Sequence, residues 1–76
     1  MMVIPAVTAK QMQKVLGNLG WEMVNEYRGY RYYRSGDFPK RLITLPVYDD
    51  DILPLKVLVK ILDEADLGFA DLVWFM

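Results

Sequence analysis

The sequence predicts an α+β domain: two helices flank three short strands, and a short hydrophobic segment follows. Apolar residues recur at helical spacing after Thr8 and again after Pro54. Between these two stretches lie short runs that alternate or are rich in aromatic residues, separated by turn sequences. Because short turns join consecutive strands, we expect an antiparallel sheet of order 1-2-3 with both helices on one face.

The first helix is predicted from Ala9 to Leu19. Thr8 and Gln11 have the spacing of a capping box, in which a hydroxyl and an amide bond to free backbone N–H groups. Apolar residues then recur at helical spacing: Met12, Val15, Leu16 and Leu19. Gly20 predicts the end of the helix, because glycine adopts the left-handed conformation without a Cβ clash.

The first two strands are predicted from Trp21 to Tyr27 and from Tyr30 to Arg34. The first alternates, with one face made of four residues: Trp21, Met23, Asn25 and Tyr27. Its other face has one apolar residue, Val24, which indicates a strand with one solvated side. Arg28-Gly29 predicts a tight turn between the strands, because glycine tolerates positive φ.

The third strand is predicted from Lys40 to Val47, after turn residues that include Pro39. Pro46 indicates that this strand ends there or lies at an edge, because proline has no N–H to donate. The second helix is predicted from Pro54 to Ala65, since proline is favoured in a first helical turn. One stripe of this helix is apolar: Leu55, Leu58, Val59 and Leu62.

The C-terminal segment from Gly68 to Met76 is apolar and fits either a short helix beginning near Phe69 or an added strand. Large apolar patches on a monomer usually mark an interface. We expect four of its residues to be buried against another surface, with a second copy of the chain (a homodimer) as the favoured partner: Phe69, Leu72, Trp74 and Phe75. The alternative is that the segment folds back and completes its own core.

The 76 residues are predicted to form one domain, residues 1–76, and contain neither cysteine nor histidine. This excludes disulfides, zinc–thiolate sites and the usual general base near neutral pH. Asp49 to Asp51 suggest a magnesium or calcium site, but acids before a helix start are the more ordinary interpretation. We therefore predict no metal, no cofactor and no catalytic residue.

The apolar start of the chain is short and lacks a basic leader, so it does not resemble a signal peptide. No run approaches the roughly 18 apolar residues that a membrane-spanning helix needs. The absence of cysteine is compatible with a cytoplasmic protein, which is the location we expect.

The net charge of −1 conceals an uneven distribution, with about +4 over residues 28–41 and about −5 over residues 49–76. A basic surface on an acidic protein still binds phosphate, because the local potential decides contact. Guanidinium groups that bind phosphate are interleaved with rings that stack on bases, which gives these candidate binding residues: Arg28, Tyr30, Arg31, Tyr32, Arg34 and Arg41. Protein interfaces use the same residue types, and solvated strands also explain the charges.

The order of elements resembles the HicA (YcfA-like) family of small RNA-cleaving toxins. The matching pieces are Gly20-Trp21, Arg31 to Arg34 and Asp50 to Pro54, within a match from about Thr8 to Leu67. The resemblance implies a double-stranded-RNA-binding-domain-like fold, RNA as the target, and a cognate antitoxin as protein partner.

The family's second strand begins with a Gly-Ser-His triplet whose histidine carries the chemistry, and the matching positions here are Arg28, Gly29 and Tyr30. A phenol with a pKa near 10 is a poor general base at neutral pH. The resemblance therefore implies an RNA-binding domain of toxin–antitoxin or mobile-element type without ribonuclease activity. In this interpretation Tyr30 stacks on a base. The alternative is that Tyr30 is an ordinary strand aromatic packed on its neighbours. The alternative function is a small protein-interaction module, for example a viral inhibitor or accessory protein.

Overall fold

The computed structural model describes residues 6–47 and 50–75 and has an α+β fold. Its elements are, in chain order, α1 (Ala9–Asn18), β1 (Glu22–Tyr27), β2 (Tyr30–Arg34), β3 (Ile43–Pro46), α2 (Leu55–Glu64) and α3 (Phe69–Phe75). The strands form one antiparallel sheet in the order β1-β2-β3, which confirms the predicted topology. The C-terminal segment is helical, so the described residues form three helices, whereas the sequence predicted two and left this segment open.

The predicted capping box begins α1. The Thr8 hydroxyl accepts a hydrogen bond from the Gln11 N–H at 3.1 Å, and the Gln11 side chain accepts one from the Thr8 N–H at 2.9 Å. At the other end Gly20 has φ +90°, and the Trp21 N–H donates to the Leu16 carbonyl at 2.9 Å. This reversal buries the Trp21 side chain directly after the helix.

A β-bulge changes the facing of β1. Met23 lies opposite Tyr33 but Asn25 lies opposite Tyr32, so Val24 is an extra residue in the strand. The predicted common face of Met23 and Asn25 is therefore wrong, because the bulge places them on opposite faces of the sheet. All six residues of β1 are exposed, on both of its faces.

The third strand is shorter than the predicted span from Lys40 to Val47, because its first residues form a turn. The Phe38 N–H donates to the Ser35 carbonyl at 3.2 Å, and the Arg41 N–H donates to the Phe38 carbonyl at 3.0 Å. Regular pairing with β2 begins only at Ile43.

Helix α2 begins one residue after Pro54 and ends one residue before Ala65, close to the predicted bounds. Asp66 follows with φ +60°, and the Leu67 N–H donates to the Leu62 carbonyl at 2.8 Å. This is the same reversal that Gly20 makes after α1, and it directs the chain into α3.

The core lies between the helices and one face of the sheet. The sheet contributes Tyr33, Ile43 and Leu45, which are at most 3% exposed. The helices contribute several buried side chains: Met12, Val15, Leu16, Leu58, Ile61, Leu62 and Leu72. Both α1 and α2 contact β3, and α3 contacts α1. Among the described residues, no helix is long and apolar enough to cross a membrane.

Candidate interaction surface

The turn between β1 and β2 projects one of the predicted cations. Arg28 has φ +51° and Gly29 has φ +82°, and these positive values at both central positions are what a two-residue type I′ turn requires. The Arg28 guanidinium lies over the Tyr27 ring, 5.1 Å from its centroid. The hairpin tip therefore presents an exposed cation stacked on an aromatic ring.

The sheet face away from the core, here called the open face, gathers three of the six predicted binding residues: Tyr30, Tyr32 and Arg34. Residues directly opposite each other in a sheet share a face, so the pairing register defines its members: Glu22, Asn25, Tyr27, Tyr30, Tyr32, Arg34, Thr44 and Pro46. Tyr27 is 56% exposed and Tyr30 is 46% exposed. Glu22 lies opposite Arg34 and places one carboxylate beside that cation. The face is thus aromatic, with cations at its margins.

Arg31 lies on the other face of the sheet. Its Nε donates to the Glu26 carboxylate at 3.0 Å, and its Nη1 donates to the Gln13 side chain of α1 at 3.2 Å. The Arg31 side chain is only 19% exposed. The structure therefore separates Arg31 from the open face and gives it contacts that join β1, β2 and α1.

Arg41 also lies apart from the open face. Its Nη1 donates to the Glu64 carbonyl at the end of α2, at 3.1 Å, and its guanidinium lies 4.7 Å from the centroid of the Phe38 ring. A cation at this position also interacts favourably with the negative end of the helix. Phe38 in turn stacks on Trp21 with 5.8 Å between ring centroids. Arg41 thus joins the loop before β3 to the end of α2.

The four predicted interface residues of the C-terminal segment divide between core and surface. Leu72 is fully buried in the domain's own core, while Phe69 and Phe75 are partly buried against it. Trp74 is 84% exposed. Of the four, only Trp74 leaves most of its side chain exposed.

A groove along the outer edge of β3 was not predicted from the sequence. One part lies between β3 and α2, and its lining is Tyr30, Leu42, Ile43, Thr44, Pro46, Val57, Lys60, Ile61 and Glu64. A second part continues towards the start of α2, and its lining is Tyr30, Pro46, Asp51, Ile52, Leu53, Pro54 and Val57. Tyr30 lies at the border between this groove and the open face. Pro46, which marked an edge strand, was the available sequence signal.

The described residues contain no group of three or more side chains suited to bind a metal ion. Asp50 and Asp51 are exposed ahead of α2, and Asp49 lies outside the described residues. The side chains of the open face are of types that can stack on planar groups, form hydrogen bonds and, through arginine, bind phosphate.

Neither family models nor curated proteins provide a match to this chain.

Proposed function

We propose that this chain is a HicA-like RNA-binding domain, of toxin–antitoxin or mobile-element type, that lacks ribonuclease activity. The observation that carries the proposal is the placement of Tyr27, Tyr30 and Tyr32 together on the one sheet face that no described helix covers. Tyr27 and Tyr30 are exposed, and Tyr32 is half-buried. Aromatic rings on a strand surface are platforms for unpaired bases, and stacking is worth about 1–3 kcal/mol per base.

The cations near these rings support RNA as the ligand. Arg28 at the hairpin tip and Arg34 at the opposite end of β2 lie on either side of the tyrosines. Phosphates of a strand crossing the face would lie within reach of both guanidinium groups. A ligand bound in this way has an affinity that falls with salt, because each phosphate contact releases counterions.

The element order also supports the double-stranded-RNA-binding-domain-like part of the proposal. A helix, an antiparallel meander and a second helix occur in the order that the HicA resemblance implies, and α3 is an addition to that order. Tyr30, at the position of the family's histidine, is exposed at the border of the open face. It is therefore available to contact RNA, although its phenol is a poor general base.

Binding is tested by fluorescence anisotropy with a labelled single-stranded 12-nucleotide RNA at 50 and 200 mM salt. We expect Tyr32→Ala to weaken binding about tenfold or more, since a lost stacking contact is worth about 1–3 kcal/mol. Trp74→Ala is the matched control, because it removes an exposed aromatic from α3 and should leave RNA affinity unchanged. Equal effects of the two substitutions, or binding insensitive to salt, would contradict the proposal.

The lack of ribonuclease activity is tested on the same RNA by gel analysis after long incubation. We expect intact RNA, because general acid–base assistance is typically worth about 10²–10⁴-fold and no histidine supplies it. Robust cleavage that Tyr30→Phe abolishes would show that the tyrosine has taken over the catalytic role.

The second candidate function, a protein-interaction module, is favoured by the exposed apolar residues of α3. Trp74 is 84% exposed and Val73 is 59% exposed, on a helix whose Leu72 is fixed in the core. Tryptophan is enriched among the residues that dominate protein interfaces. Sedimentation velocity of the intact chain and of Trp74→Ser tests self-association: a dimer lost in the variant supports this function, and a monomer at high micromolar concentration contradicts a homodimer through this helix.

A further inference from the structure

The outer edge of β3 presents backbone groups that no described residue pairs with. The Val47 N–H donates to the Gly29 carbonyl at 3.0 Å, and the pairing register continues from these two residues along both strands. In an antiparallel pair, hydrogen-bonded and non-hydrogen-bonded positions alternate. Leu45 therefore directs its N–H and C=O towards β2, whereas Thr44 and Pro46 direct theirs away from the sheet. The edge thus offers a donor and an acceptor at Thr44 and an acceptor at Pro46.

The flank of α2 forms a second wall beside this edge. Val57 lines both parts of the groove. Ile61 and Thr44 line the part between β3 and α2. A strand added to β3 would hydrogen-bond with Thr44 on one side, and every second side chain would pack against Val57, above the buried Ile61. The edge and the helix together therefore fit a single extended chain.

The charges of the groove differ between its two ends. At the end near Leu42, Glu64 is accompanied by Lys60 one turn earlier in α2. At the end near Pro46, the lining residue Asp51 has no cationic neighbour among the lining residues, and Asp50 precedes it. A complementary ligand carries a basic group at the Asp51 end.

We infer that this groove binds an extended segment of a partner protein, which adds to β3 as a fourth antiparallel strand. The segment has apolar side chains at alternate positions and a basic residue at its N-terminal end, which antiparallel pairing places beside Asp51. A second copy of the chain fits less well, because pairing β3 with β3 would bring the partner's α2 into the space beside Val57. The groove borders the open face at Tyr30, Thr44 and Pro46 and extends from there to α2. Binding of the segment does not require RNA binding.

The first test measures amide hydrogen exchange and ¹⁵N NMR shifts of the full chain. Before any addition, we expect the Thr44 amide to exchange quickly and the Leu45 amide to be protected. The probe is the acetylated, amidated peptide Lys-Val-Thr-Val-Thr-Val. Its addition should shift the resonances of Thr44 and Val57 in a saturable way and should slow exchange at Thr44. No saturable shift at millimolar peptide would overturn the inference.

Variants of the protein separate strand addition from general apolar contact. Thr44→Pro removes the outward N–H at an edge position, where proline is tolerated, and should weaken peptide binding about fivefold or more. Val57→Lys should also weaken it, whereas the matched control Val59→Lys, on an exposed position of the same helix, should not. Circular dichroism checks that each variant folds. Unchanged binding in both Thr44→Pro and Val57→Lys would overturn the inference.

Variants of the peptide test direction and charge. N-methylation of the amides that face β3 should abolish binding, and N-methylation of the alternate amides should leave it intact. Replacing the peptide's lysine by glutamate should weaken binding several-fold, because the glutamate carboxylate would lie beside that of Asp51 and be repelled by it. Equal effects of the two methylation patterns would overturn strand addition. Protection of Thr44 without peptide, together with a dimer in sedimentation, would assign the groove to a second copy instead.

Discussion

The two faces of this sheet are built from alternate residues of the same strands, yet they are suited to different roles. On the covered face Tyr33, Ile43 and Leu45 are almost completely buried, whereas Tyr30 on the open face is 46% exposed. Adjacent residues such as Tyr32 and Tyr33 therefore differ in burial, whereas Tyr33 and its partner Ile43 on the next strand are both buried. The difference teaches that face, rather than position along the chain, should decide whether a substitution alters stability or binding.

The strongest test of this separation compares two adjacent residues of β3. Leu45→Ala should lower the free energy of unfolding by about 2–5 kcal/mol, because it leaves a cavity in the core. Thr44→Ala, on the open face, should lower it by less than about 1 kcal/mol. Urea denaturation followed by circular dichroism gives both values. Similar losses for the two variants would show that the open face also contributes to the core.

A second test compares two arginines of β2 that the sequence treated as equivalent. Arg31→Ala should lower the free energy of unfolding by about 0.5–1.5 kcal/mol, because it removes hydrogen bonds to Glu26 and Gln13. It should leave the salt dependence of RNA binding unchanged. Arg34→Ala should have little effect on stability and should reduce the slope of log affinity against log salt by about 0.7.

Urea denaturation and salt-dependent anisotropy, performed on both variants, measure these effects. Lys14→Ala is the matched control, since it removes an exposed cation from α1 rather than from the sheet. A reduced salt slope in Arg31→Ala but not in Arg34→Ala would place RNA on the helix side and reverse the proposed orientation.

The division of the arginines could have been read from the sequence. Side chains of a strand alternate, so Arg31 and Arg34, an odd number of residues apart, lie on opposite faces. Tyr30, Tyr32 and Arg34 share a face by the same rule. The strand order and the helix bounds were also predictable, because capping residues and turn residues act locally.

Other features depend on contacts that no local pattern encodes. The late start of β3 accompanies the hydrogen bond from Arg41 to the Glu64 carbonyl, which joins residues 23 positions apart. The bulge at Val24 has no glycine that would have predicted it from the sequence. The reversal after α2 uses Asp66 with φ +60°, where glycine would be expected. The groove beside β3 required the position of α2, which only tertiary packing determines.

The smallest expected effect concerns Arg28, which we expect to affect both the stability of the turn and RNA binding. Its φ of +51° is unfavourable for arginine, and Asn-Gly is the preferred sequence for this turn. Arg28→Asn should therefore raise the free energy of unfolding by about 0.5 kcal/mol. This net value allows for the lost contact between the Arg28 guanidinium and the Tyr27 ring. It should also weaken RNA binding, because it removes a cation beside the open face.

Arg28→Lys is the control for this prediction, since it retains both the charge and the unfavourable backbone conformation. It should change stability and the salt slope little, although its bonding to phosphate is less directional. Thermal unfolding combined with salt-dependent anisotropy compares the three proteins. If Arg28→Asn is more stable but binds RNA less well, the unfavourable conformation of Arg28 lowers stability while its guanidinium contributes to binding. If Arg28→Asn lowers stability and leaves RNA affinity unchanged, the arginine contributes to folding through Tyr27, and the open face ends before the turn.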